Sequence, residues 1–94
     1  MSFLLKDPDA VLDYSIDWGA DYLAAGELLA ASGWSVVPDE AGGVTVAGSD
    51  FDASTSTVKA AGGVSGHVYS LVNRITTAAG RIDDRSIVVR VESR

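Results

Sequence analysis

Large apolar residues at every second position constrain this chain more than any other feature. From Val11 to Trp18, Leu12, Tyr14, Ile16 and Trp18 alternate with Asp13, Ser15 and Asp17. Only an extended strand puts the two sets on opposite faces, one toward a core and one toward water. Ten glycines then divide the rest into short segments. Short strands joined by glycine-containing turns are the pattern of a sandwich or barrel.

The same reading extends to the C-terminus. From His67 to Thr77, Tyr69, Leu71, Asn73 and Ile75 alternate with Val68, Ser70, Val72 and Arg74. From Ser86 to Glu92, Ile87, Val89 and Val91 fall inward, with Val88 and Arg90 outward. Shorter strands are expected at Val44–Val46 and Thr57–Ala60, with polar connections over residues 38–43 and 48–56. Residues 20–31 are harder to place, being rich in helix formers yet interrupted by Gly26. One helical turn over Asp21–Ala25, capped by Gly26, and then a strand from Glu27 to Val37 fit best. Within that strand Leu29 has the opposite parity to Trp34 and Val36, so a bulge near Ser32–Gly33 is expected. The whole reads as an all-β, immunoglobulin-like sandwich of about six to seven short antiparallel strands. Its expected core contains Tyr14, Ile16, Trp18, Trp34, Val36, Tyr69, Leu71, Ile87, Val89 and Val91. Residues 1–10 are expected as an N-terminal arm, and 11–92 as the single domain. Tyr69 stands where Greek-key sandwiches often bond a tyrosine hydroxyl back to the backbone; simple packing at the core edge is the alternative.

Composition narrows the function. Ninety-four residues suffice for one core, and 47% hydrophobic residues suffice to fill it. Thirteen acids against seven Lys and Arg give a net charge of −6, which argues against a nucleic-acid partner. The lack of cysteine removes disulfides, thiolate metal sites and thiol nucleophiles. The apolar start Met1–Leu5 is shorter than a signal-peptide core, and no run approaches the roughly 18 residues of a membrane span. A soluble protein without a membrane partner is expected.

No catalytic constellation emerges. The lone His67 has no Ser–His–Asp partner motif. Asp50-x-Asp52 and Asp83-Asp84, both expected in loops, lack the spacing of a calcium loop. Gly62-Gly63-Val64-Ser65-Gly66 is followed by no Lys-Ser/Thr and no helix, so it is not read as a phosphate cradle. Trp18 and Trp34 could stack on sugars, but both have inward parity and core packing is favoured. No catalytic residue, cofactor or metal ligand is assigned.

A more specific signal lies in the run Lys6-Asp7-Pro8-Asp9-Ala10-Val11-Leu12-Asp13-Tyr14-Ser15-Ile16-Asp17-Trp18, followed by Leu23, Gly26, Trp34 and Val36. Near the end come Tyr69, Val72-Asn73-Arg74-Ile75-Thr76-Thr77, Gly80-Arg81 and Asp83-Asp84-Arg85-Ser86. Over roughly residues 6–92 this resembles a family of small tailed-bacteriophage virion proteins, the fibre–tail adaptor or neck- and tail-associated proteins. The resemblance implies an immunoglobulin-like sandwich without catalytic activity. It implies a virion location in the tail or neck and synthesis in the bacterial host cytoplasm. The implied partners are other phage structural proteins and copies of the chain in a symmetric ring. A carbohydrate- or host-surface-binding module is the alternative. Two partner-facing segments are expected: the apolar Phe3, Leu4 and Leu5, and the charged Arg81, Asp83, Asp84 and Arg85 in the loop before the last strand. An extra first strand of the chain's own domain is the other reading of the arm.

Overall fold

The computed structural model describes residues 4–93. Among them are seven strands and no helix: β1 (Leu4–Lys6), β2 (Leu12–Asp17), β3 (Leu29–Val37), β4 (Val44–Phe51), β5 (Thr55–Gly62), β6 (Val68–Thr77) and β7 (Ile82–Val91). They form two sheets, ordered β1-β7-β6-β3 and β2-β5-β4. Every pairing is antiparallel except β1 on β7, which is parallel. If β2 to β7 take the immunoglobulin letters B to G, the sheets are B-E-D and C-F-G. The first strand departs from the constant-type plan, joining β7 instead of β2.

Period-two sequence builds the core directly. Tyr69, Leu71 and Ile75 of β6 and Val89 and Val91 of β7 are fully buried from one sheet, with Val58 and Ala60 of β5 from the other. Ile16 and Trp18 close one end together with Leu29 and Ile75, and Trp34 and Ile87 pack against both halves of the core. Tyr14 and Val36 are half-buried beside them.

Five local features differ from the sequence expectation. Leu4–Lys6, expected in an arm, is an edge strand of the larger sheet. Lys6 anchors it: its side chain is fully buried and its ammonium donates to the Gly62 carbonyl at 2.6 Å and the Asp7 carbonyl at 3.0 Å. Asp21–Ala25 is not a helical turn. The N–H groups of Tyr22 and Leu23 both donate to the Trp18 carbonyl, so the chain coils once over Trp18 and then turns at Gly26. Side-chain packing overrides helix propensity there, with Tyr22 edge-on to Trp18 at 5.1 Å. The β3 bulge occurs between Leu29 and Ala31, earlier than Ser32–Gly33, and it still brings Leu29 inward. β4 runs on to Phe51 past a register shift between Val46 and Gly48, because β5 supplies backbone partners as far as Ser56. Asp50 is therefore a strand residue, and Asp52 closes the turn by accepting the N–H groups of Ser54 and Thr55. Lastly, β7 starts at Ile82, so Asp83, Asp84 and Arg85 pair with Ile75, Arg74 and Asn73 across the hairpin and are not in a loop.

Candidate partner-binding surfaces

The tryptophans belong to a polar network between the sheets. Trp18 is fully buried and its indole N–H donates to Asn73 Oδ1 at 2.9 Å. The Asn73 amide donates to Ser32 Oγ and to the Gly33 carbonyl, both at 2.9 Å. Ser32 and Ser56 hydroxyls lie 2.6 Å apart, and Ser56 also accepts the Trp34 indole N–H at 2.9 Å. Buried donors and acceptors thus satisfy one another across β3, β5 and β6. Trp18 leaves no ring face for a sugar.

The charged run is engaged within the chain. Arg81 forms a two-point ion pair with Glu27, at 2.5 and 2.9 Å, donates to the Tyr22 carbonyl at 3.2 Å and lies 4.4 Å over the Tyr22 ring. Arg85 lies 4.6 Å over Trp18 and pairs with Asp21 at 2.9 Å. Asp84 receives two hydrogen bonds from Arg74. The hydrogen bonds from Arg81 and from the Ala24 N–H hold the Glu27 carboxyl down at about 2. These contacts fasten residues 18–28 to the β6–β7 hairpin. Asp83 accepts the Asp84 N–H.

At the opposite end, Tyr69 closes a second cluster. Its hydroxyl accepts the Val64 N–H at 3.0 Å and donates to Glu40 at 2.6 Å, and His67 Nδ1 meets the same carboxylate at 3.0 Å. The tyrosine hydroxyl therefore does bond back to the backbone, five residues upstream. Its hydrogen bond, with that of His67, keeps the Glu40 carboxyl below its ordinary range. No group of three His, Cys, Asp or Glu among the described residues could hold a metal ion.

The outer faces of the two sheets differ in kind. On the smaller sheet, strand register turns Asp13, Ser15, Asp17, Thr55, Thr57, Lys59, Thr45 and Asp50 to solvent. That face is polar, with an open depression of about 350 Å³ between Asp13, Gly48, Asp50 and Lys59. On the larger sheet the outward residues include Leu5, Val68, Val88, Val72 and Val37. Val88 and Val37 both sit opposite Ser70, which places Val68 and Val72 on their diagonals, within side-chain reach. Leu5 and Val68 flank Arg90 from either side. Leu5 and Val68 are each 47% exposed and Val37 58%. Arg90, inside the stripe, is paired with Glu92, and Arg74, at its border, with Asp84. Ile82, 64% exposed, lies on the same face beyond the Arg74–Asp84 pair, apart from the stripe.

Of the residues expected at a partner surface, Leu5 lies in this stripe and Asp84 at its border. Leu4 points toward the seam between the sheets, and Phe3 lies outside the described residues. The stripe itself was missed, although its signal is in the sequence: Val68, Val72 and Val88 occupy the outward parity, where a solvated strand carries polar residues.

The family described as "Podophage GP4 fiber-tail adaptor protein gp77" matches residues 6–90. The chain belongs to this podophage fibre–tail adaptor family. Membership makes it a structural protein of a phage tail. In the adaptor, the match starts at the buried Lys6 and ends at Arg90, inside the apolar stripe, so it takes in both sheets. No curated protein matches the chain.

Proposed function

We propose that the chain is a non-enzymatic joint in the virion of a tailed phage, holding fibre to tail through the outer face of the β1-β7-β6-β3 sheet. The observation that carries this reading is the valine stripe on that face, in a chain whose other sheet is polar outside. A solvated antiparallel sheet alternates apolar-in and polar-out, and an apolar outer face left in water costs free energy that a covering neighbour relieves. Matched charges inside it and at its border let it be covered without leaving an unpaired ion. In this reading residues 4–92 act as one rigid module, copies are arranged around the tail axis, and the chain is made in the host cytoplasm before assembly.

The test replaces Val37 and Val68 together by glutamate in the phage. Both side chains are about half exposed, so the fold tolerates the change. The isolated variant should melt within a few degrees of the parent. Particles carrying it should lose fibre protein, as read by quantitative mass spectrometry of purified virions. Full fibre occupancy would refute the reading.

A further inference from the structure

We infer that the free edge of β2 accepts an extended segment donated by another virion protein, which completes the smaller sheet. This rests on the adaptor reading and goes beyond it in naming a second contact and its chemistry.

Strand order supplies the first observation. In the constant-type immunoglobulin plan a first strand lies beside strand B, whereas here β1 lies on β7 in the opposite sheet and β2 pairs with β5 alone among the described residues. The edge is guarded by charge alone, on Asp13 and Asp17. Proteins blunt exposed edges with bulges, prolines, very short strands or charged residues. β3 and β4 each carry a register shift, and β1 has three residues. β2 has an unbroken six-residue register from Leu12 to Asp17, with neither bulge nor proline.

The side chains at this edge point the same way. Leu4 and Leu12 share inward parity with buried partners, Val89 and Ala60, yet are 47% and 38% exposed. The adjoining Val11 is 56% exposed. The sandwich is therefore open along the β1–β2 seam, and an apolar side chain entering between the two strands would cover both leucines. On the outward face of β2, Asp13 and Asp17 make no ion pair among the described residues, which favours a donor with basic or neutral outward residues. The occupant is thus an extended run of about six residues, apolar at alternate positions and Lys, Arg or Thr between them.

Photo-crosslinking in assembled particles tests this. A benzophenone amino acid is placed singly at Leu12, Asp13 or Ser15, and each variant chain is first shown to melt like the parent. After irradiation of purified virions, adducts are sequenced by mass spectrometry. A paired strand predicts that Asp13 and Ser15 cross-link residues of one parity in a single foreign segment, two apart, and that Leu12 cross-links the other parity. Three outcomes would overturn it: no adduct from β2 in particles that contain the chain, adducts to residues 1–3 of this chain, or adducts scattered without alternation. Absence of the chain from purified virions would overturn the adaptor reading itself, and this inference with it.

Discussion

Asn73 holds the two sheets in register, because one side chain serves Trp18 from the end of β2 and both Ser32 and Gly33 on β3. Truncation leaves the buried Trp18 N–H without its acceptor, at roughly 1–3 kcal/mol, and removes two further hydrogen bonds, to Ser32 and to the exposed Gly33, of about 1 kcal/mol each. Asn73→Ala should therefore lower unfolding free energy by about 3 kcal/mol or more in urea titration. Ser56→Ala, which removes an acceptor from the half-buried Trp34, should cost about 1 kcal/mol. Equal losses would show that volume, not hydrogen bonding, governs the site. Tyr14 is the opposite case. Its hydroxyl is buried without a hydrogen-bond partner among the described residues, and burial pushes its pKa up. Tyr14→Phe should leave the melting temperature unchanged or raise it. Glu27 sets a pH dependence. Its folded pKa of about 2 lies below the ordinary 4.5, so its ionised form favours the folded state above pH 4.5 and that contribution is lost as pH falls toward 2. Glu27→Gln should flatten this acid limb of stability. Asp52, Glu40 and Asp84, also held low by hydrogen bonds, keep part of the slope.

At the level of elements, legibility followed how completely each strand is packed. β2 and β6 read clearly, because their inward residues are large and face a closed core: Ile16 on one, Tyr69, Leu71 and Ile75 on the other. β4 did not. It is an edge strand whose inward Val46 and Phe51 are more than a third exposed with Ser49 between them, so no run of large residues marked it. The start of β7 was hidden because Asp83-Asp84-Arg85 reads as a turn. There the end of the sandwich accepts charge, with Arg85 lying against the Trp18 ring and Asp84 paired to Arg74 across the hairpin. The apolar stripe proposed as the partner surface was legible in its residues but not as a surface, since only the register of three strands sets Val37, Val72 and Val88 side by side. Turns carry their own test. Gly63 has φ +119°, and a Cβ there would stand 2.6 Å from Val91 Cγ2. Gly63→Ala should destabilise by about 3 kcal/mol or more, through both strain and overpacking. Gly26, with φ +78° but open space around it, should cost only about 1 kcal/mol on the same change. Paired thermal melts separate the two, and similar shifts would mean that backbone conformation alone decides.

For the whole molecule, the question is which force holds a chain of net charge −6 in a particle. Like charge on the assembly opposes close approach, and salt screens that repulsion over about 10 Å at 0.1 M. A joint made through the valine stripe, where the ions in it and beside it are already paired within the chain, gains nothing from low salt and loses nothing to high salt. A joint made through the smaller sheet, with Asp13, Asp17 and Asp50 against Lys59 alone, would need a basic partner and would weaken steeply as salt rises. Particles washed at about 1 M sodium chloride should therefore retain this chain and their fibres, whereas mild detergent, competing for the apolar face, should release the fibres first. Quantitative mass spectrometry of washed particles decides between the two. Stripping by salt with resistance to detergent would move the joint to the acidic face.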